Sequence, residues 1–548
     1  MRLEWRYVLS SATAFILSLA VVAPPALADD DDQHERHERH DPVVSGDYEH
    51  VLLISVDGMH AVDLTNWLKS HPNSNFAKLA NNAVIYPNAL TTAPSDSYPG
   101  MIAQATGATP KTAGLFYDDS YDRTEYPSEA SFTSQGLPDP GCTGPTGTEL
   151  TNWEQLDKTY NYATGLVADY TGGGTLGQVL TQLDPTHMQR RLVNGECRPV
   201  YPHQYIRTNT IFEVIKAAGG LTAWSDKHPA YEILSGPSGK GIDDLFAPEI
   251  NSQIFLPGAP AGFDNTTSYA AVRAYDTLKV DAVLNWINGN NSTVTAHPGV
   301  PAVFGMNFQA VSVGQKLAKA GYGDDPSLRG GYLDADASPG NALTLQFEFV
   351  DEALGKFISR LAALGLDGST LIIVSAKHGQ SPINVRDRIA QSDAPFQSTP
   401  GFGTHGFEIC DDEALIWLQP ESQEQDYDLA KAYLLAQAGT LHIERLLDRT
   451  ELTPLYGDPF ESSRVPDFIA LTQHGVICTG GTKLAEHGGF SHDDRNVLLL
   501  VSSPRIRPRI VDTTAYTTQI APTILSALHL NPRLLEGVRA EHTDVLRK

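Results

Sequence analysis

The sequence predicts an α/β fold with a mostly parallel central sheet sandwiched between helices and interrupted by loop-rich insertions. Three observations predict it. Short apolar runs at 51–56, 302–308, 370–375 and 497–501 have the length and composition of strands covered on both faces. Long helix-compatible segments, 269–287 and 342–364, lie between them, as crossovers in a parallel sheet require. The first run ends at Asp57-Gly58 and the third just before Lys377-His378-Gly379, polar residues at strand tips, where open α/β sheets bind ligands.

Residues 1–28 carry early arginines, an apolar core at 12–22 and Pro-Ala-Leu-Ala before an acidic run. This is the pattern of a signal peptide cleaved after Ala28, with a core too short to span a bilayer, so an exported protein is expected, periplasmic or secreted. No later segment is long and apolar enough to be a membrane span. Residues 29–46 read as a disordered acidic, His-rich tail, and 47–548 as the folded domain.

A loop-like insertion is expected at about 128–200, with a helical piece at 175–183. Regular alternation resumes with a helix at 209–218 and a strand at 221–224. Asp226, Lys227, His228 and Tyr231 follow that strand; such residues are ordinarily loop, with substrate contact as the alternative. A terminal helix opens near Thr517. Four cysteines in an exported chain should form disulfides. None has Cys-x-x-Cys spacing; the most local pairing, Cys142 with Cys197 and Cys410 with Cys478, is favoured among three open connectivities.

Ser97 sits in Ser95-Asp96-Ser97-Tyr98-Pro99-Gly100, just before a helical run at 101–106 closed by Gly107. A hydroxyl there faces amide-rich helix-terminal backbone, which favours an anion such as phosphate. Alone, Asp57-Gly58 is more often a plain turn and Ser97 more often a plain cap. Together with Thr106-Gly107 and Thr112-Ala113-Gly114-Leu115, they resemble the type I phosphodiesterase/nucleotide pyrophosphatase branch of the alkaline phosphatase superfamily. The resemblance implies an alkaline-phosphatase-like catalytic domain. It makes Ser97, not Ser95, the nucleophile and Asp57 a metal ligand on the first strand. His378 matches the family's Asp-His-Gly at a later strand tip, and His487, in Ala485-Glu486-His487-Gly488, its final His-Gly. The sequence departs from the family at three ligand positions. Lys377 stands for the Asp, and around the middle pair Val311 replaces an Asp and Gln315 a His, with Gln309 the nearest polar substitute.

Exchanging a carboxylate for Lys377 removes an attraction and adds a repulsion, each unit-charge pair at ~4 Å being worth ~4 kcal/mol at an effective dielectric near 20. Lys377 is therefore expected to act as a catalytic cation beside Ser97 in place of a metal. Asp411, Asp412 and His492, with Asp118-Asp119 and Asp493-Asp494, are the candidates for recruited ligands, each otherwise a hydrated loop or cap.

The expected function is an exported phosphoesterase that hydrolyses phosphodiester or pyrophosphate bonds through a phospho-serine intermediate. Its substrate would be small and phosphorylated, such as a nucleotide, and its cofactor a divalent metal, zinc by the resemblance, as one ion or two. The formal charge of -26 argues against a nucleic-acid-binding surface. The alternatives are a phosphomonoesterase on the same scaffold and a catalytically degenerate binding or envelope protein; a sulfatase is disfavoured because no C/S-x-P-x-R sequence surrounds Ser97.

Overall fold

Eight strands form the central sheet: β1 (His50–Val56), β2 (Ala83–Ile85), β3 (Ala223–Ser225), β4 (Asp244–Phe246), β5 (Val303–Phe308), β6 (Thr370–Ser375), β7 (Leu499–Ser502) and β8 (Arg509–Ile510). Their order is β4-β3-β5-β1-β6-β7-β2-β8. β1 is parallel to β5 and β6, and β3 to β4 and β5, while β7 runs antiparallel to β6 and β2. The computed structural model describes residues 41–44, 48–150, 156–161, 166–167, 176–250, 256–260 and 263–548.

The apolar run of β1 is uninterrupted because both faces are covered. Val51 and Leu53 enter one core, with Tyr98, Met101 and Ile102 of the helix Ser97–Thr106 and Ile520 and Ile524 of the helix Ile520–Ala527. Leu52, Ile54 and Val56 enter the other, under Phe347, Val350 and Phe357 of the helix Asn341–Ala363 and Val283 and Trp286 of the helix Tyr269–Ile287. In the shared register Ser55 lies opposite both Asn307 and Ser375. The polar residues that follow β1, β5 and β6 therefore leave the sheet side by side.

A second sheet, antiparallel and four-stranded, comprises Phe407–Cys410, Ala414–Trp417, Phe468–Thr472 and Ile443–Leu447 in that spatial order. The sequence pattern had offered no regular element there. Cysteines 142 and 197, and 410 and 478, are bonded, the local pairing. The expected helical piece near 175–183 is the helix Leu176–Gln182, and the stretch around it adds the hairpin Arg190–Val193 with Glu196–Pro199.

The expected signal peptide and most of the tail lie outside the described residues. The tail's boundary is corrected at 41–44: Val43 and Val44 are buried in the core, and the Val43 amide bonds the Leu546 carbonyl. The described fold forms one unit, Asp41–Lys548. Among the described residues, no helix is long and apolar enough to cross a membrane.

Candidate active site

Gly58 turns the chain sharply after β1, at φ +81°, and a Cβ there would lie 2.1 Å from Gln315 Oε1. The turn presents Asp57 to the carboxyl ends of the neighbouring strands. Its Oδ2 accepts hydrogen bonds from Asn307 Nδ2 at 3.1 Å and Gln309 Nε2 at 2.5 Å, and lies 3.7 Å from His378 Nε2. Burial pushes the Asp57 carboxyl up, but the charges of Lys377, His378 and Lys227 outweigh it, and the group is held far below the usual carboxylate range.

Asp96 caps the helix Ser97–Thr106, its Oδ2 accepting from the Tyr98 amide at 3.0 Å, which puts Ser97 on the first turn. That helix sits against the loop after β6: at Gly100 a Cβ would fall 2.1 Å from the Lys377 carbonyl oxygen. Glycine thereby lets the nucleophile candidate reach His378. Ser97 is fully buried, with its Oγ 3.3 Å from His378 Nε2 and 3.2 Å from Lys227 Nζ.

His378 Nδ1 lies 2.8 Å from the Gly379 carbonyl. A carbonyl only accepts, so Nδ1 carries a proton, and in the neutral ring Nε2 presents a lone pair toward Ser97 Oγ. The His487 ring packs against that of His378 at a tilt of 50°, ring centres 4.0 Å apart, with its Nδ1 3.5 Å from Asp96 Oδ1. Burial, and then the charges of His378 and nearby lysines, hold His487 well below the usual imidazole range, so it stays neutral.

The structure divides the expected site residues. Asp57, Ser97, His378, His487 and Gln309 come together, and Asp411 joins them on the wall of a cleft of about 510 Å³, where its Oδ2 accepts from Tyr117 Oη at 2.7 Å. Burial, reinforced by Glu486, pushes Asp411 up to about 7. Asp118 and Asp119 line the same cleft.

Four expectations are corrected. Lys377 Nζ is directed to Asp226 Oδ1 at 2.7 Å and Tyr231 Oη at 2.8 Å, and lies 4.0 Å from the centre of the Tyr231 ring; the ammonium that contacts Ser97 belongs to Lys227. Gln315 is tied into the scaffold, donating to the Gly58 carbonyl and Tyr332 Oη and accepting from Gln380, each at 2.7 Å. Asp412 faces a different cavity, and His492 is exposed on a short surface helix. Lys227 could have been picked out only by its place two residues after β3, the position that sequence reading treats as ordinary loop.

A family profile described as type I phosphodiesterase/nucleotide pyrophosphatase matches residues 51–494. The chain belongs to this family. It is accordingly a hydrolase of phosphoester bonds. No curated protein sequence matches it. Among solved structures it is similar to murine ectonucleotide pyrophosphatase/phosphodiesterase 5, at 15% identity over 88% of this chain and 96% of that one, TM-score 0.51. An inactive form of that enzyme in complex with AMP aligns at 14% identity, covering 88% and 96%, TM-score 0.52. The wild-type alkaline phosphatase PafA aligns at 13% identity over 89% and 97%, TM-score 0.57. These likenesses show the alkaline-phosphatase-like fold.

The family works with divalent metal, and the residues around Ser97 do not fit its usual metal arrangement. Lys227 brings an amino group to Ser97, and the charge of Lys377 acts on Asp57 although its amino group is bonded to Asp226 and Tyr231. Val311, in the place of one middle ligand, is buried in the apolar core, and Gln315, in the place of the other, is engaged in the scaffold. Among the described residues, Asp411, Glu486 and His487 have donor atoms within 4.8 Å of one another. There Glu486 is already matched by Lys316 Nζ at 2.6 Å and by Lys483.

Proposed function

We propose that this family member hydrolyses phosphodiester or pyrophosphate bonds of a small phosphorylated substrate, such as a nucleotide, through a phosphoserine formed on Ser97. The observation that carries the reading is the placement of one buried hydroxyl between His378 Nε2 and Lys227 Nζ on the first turn of a helix. The zinc expected from the resemblance would find Asp57, His378 and His487 as donors, against the amino groups of Lys227 and Lys377, and no step below depends on it.

His378 Nε2 takes the Ser97 proton as Oγ attacks phosphorus. The new bond is Ser97 Oγ to phosphorus, and the bond to the leaving oxygen breaks. Asp57, 3.7 Å away, stabilises the imidazolium so formed by ~4 kcal/mol at an effective dielectric near 20. Lys227 neutralises negative charge growing on the phosphoryl oxygens, and the helix amides add to it. His378 gives that proton up to the departing oxygen by way of solvent; a water then attacks the phosphoserine with the neutral His378 as base, the phosphorus–Oγ bond breaks, and Ser97 Oγ recovers its proton from His378. Export is part of the same proposal: the sequence begins with a signal-like segment, and two disulfides suit an oxidising compartment.

The test is hydrolysis of bis-p-nitrophenyl phosphate with acid-quenched mass spectrometry of the Ser97 peptide. Turnover with a transient mass gain of one phosphoryl group on Ser97, both absent in Ser97→Ala, is expected. Turnover that survives Ser97→Ala refutes the assignment. A strong preference for the monoester p-nitrophenyl phosphate would instead make it a phosphomonoesterase.

A further inference from the structure

A cavity of about 500 Å³ shares no lining residue with the cleft. One of its walls is the segment 90–93, which leads from the parallel strand pair Ala89–Leu90 and Ala515–Tyr516 into the nucleophile loop. The short helix His492–Arg495 delivers Arg495 to the same cavity. Its Nε and Nη2 donate to one acceptor, the Thr91 carbonyl, at 3.3 and 3.2 Å, and the Thr91 amide donates back to the Arg495 carbonyl at 2.9 Å. A guanidinium has five N–H donors in a planar fork. Among the described residues, the remaining donors of Arg495 meet no acceptor, and no carboxylate pairs with it. Burial pulls this guanidinium down, and the Tyr456 and Tyr516 hydroxyls and then Asp494 offset that only in part. A partly buried cation without a counter-ion is costly.

The two carboxylates that also line the cavity are committed elsewhere. Glu541 Oε1 accepts from the Thr109 amide at 2.9 Å and Thr109 Oγ1 at 2.8 Å, and Asp544 pairs with Arg547. Two hydroxyls remain available: among the described residues, Thr514 and Thr518 make no side-chain hydrogen bond. Much of the rest is apolar or aromatic. Tyr456 is fixed by its Oη, which donates to the Ala93 carbonyl at 2.6 Å, while Leu455 and Tyr516 are about half exposed, at 49% and 47%.

We propose that this cavity binds a small organic anion, a carboxylate or phosphate head on an aromatic body, with the head on Arg495 and the body against Tyr456 and Tyr516. The guanidinium fork takes two oxygens of either head at once, and the tyrosine rings favour a planar partner. The volume is that of a small-molecule site, in which a few placed polar groups orient a ligand among apolar walls. The backbone around the head is tied to the catalytic segments. The Asp494 carbonyl accepts from Ser95 Oγ and the Gly379 amide, both at 2.6 Å, and Thr91 Oγ1 donates to the Lys377 carbonyl at 2.6 Å. The occupant thus rests beside the segments that carry Ser97 and His378 without entering the cleft, and the site does not depend on the reaction proposed for Ser97.

The experiment is calorimetric titration of the full chain with 4-iodobenzoate and with 4-iodophenylphosphonate, each also soaked into crystals and located by the anomalous scattering of iodine. Iodine in this cavity is expected, with a dissociation constant of about 1 mM or below for the better head, which names the ligand as carboxylate or phosphate. Arg495→Met should weaken binding at least about tenfold and empty the cavity of iodine, because charge-assisted hydrogen bonds are lost. The uncharged 4-iodobenzamide should bind the wild type at least about tenfold more weakly than 4-iodobenzoate for the same reason. Lys227→Met, which removes an ammonium from the cleft, should leave the iodine in the cavity. The proposal is overturned if no iodine enters the cavity at about 10 mM of either anion, if it enters the cleft alone, or if Arg495→Met binds as the wild type does. Should Arg495→Met fail to fold, the wild type decides: 4-iodobenzamide binding as well as 4-iodobenzoate overturns the assignment.

Discussion

Replacing Lys227 by methionine removes one amino group from the nucleophile while keeping most of its apolar stem. Lys227 Nζ lies 3.2 Å from Ser97 Oγ. A unit positive charge at that distance from a developing oxyanion is worth ~5 kcal/mol at an effective dielectric near 20. Deleting one such donor from an enzyme's charge-stabilising set costs about 10²–10³ in kcat. Lys227→Met should therefore lose about two to three decades in kcat/KM toward bis-p-nitrophenyl phosphate, with Lys227→Arg recovering part of it. The assay is initial-rate hydrolysis in chelator and in added zinc, with Ser97→Ala as the floor and the unfolding temperature as the control for folding. A Lys227→Met enzyme within about fivefold of wild type in chelator, where the expected loss is 10²–10³, would refute the reasoning.

Lys377→Met should do the reverse. It strands the buried Asp226 carboxylate and should cost about 3–5 kcal/mol of stability, read in denaturant unfolding, before it is read in turnover. Chelation should lower phosphodiesterase turnover by less than about tenfold, because Lys227 and His378 supply what a nucleophile-side metal would; complete loss restored by zinc would contradict the lysine-based site. Glu408 is pushed by burial to about 8 from an ordinary 4.5. A raised carboxyl contributes stability that is fully present below about pH 4.5 and is lost as pH rises through about 8. Glu408→Gln should therefore flatten the stability profile between those limits and gain ~2–4 kcal/mol at pH 9, measured by denaturant unfolding at several pH values.

The central sheet was legible because its strands are covered on both faces: an apolar run such as 51–56 or 370–375 needs no partner to be recognised. The small sheet was not. In Phe407–Cys410 burial alternates, with Glu408 buried among apolar neighbours, and strands of four or five residues among turns leave little period to read. At the site, motif order brought out Asp57, Ser97, His378 and His487, which the structure gathers into one cleft or its wall. The exchange of roles between the two lysines could not be read, since Lys227 and Lys377 are 150 positions apart and only the Asp226 and Tyr231 contacts show which one turns away. Likewise, Asp411 and Asp412 are adjacent in the chain yet open into different cavities, as alternate residues at a strand-end turn do.

The strand order has a consequence for biosynthesis. β1 must accept β5 from about 250 residues downstream on one side and β6 from more than 300 downstream on the other before Asp57, Ser97, Lys227 and His378 share a volume, and His487 arrives later still. Such distant pairings close slowly, and no shorter stretch of the chain can imitate them. A nascent polypeptide with its first four hundred residues made still lacks one wall of the cleft. The nucleophile and its base therefore meet only after the strand Thr370–Ser375 and the loop behind it have been made.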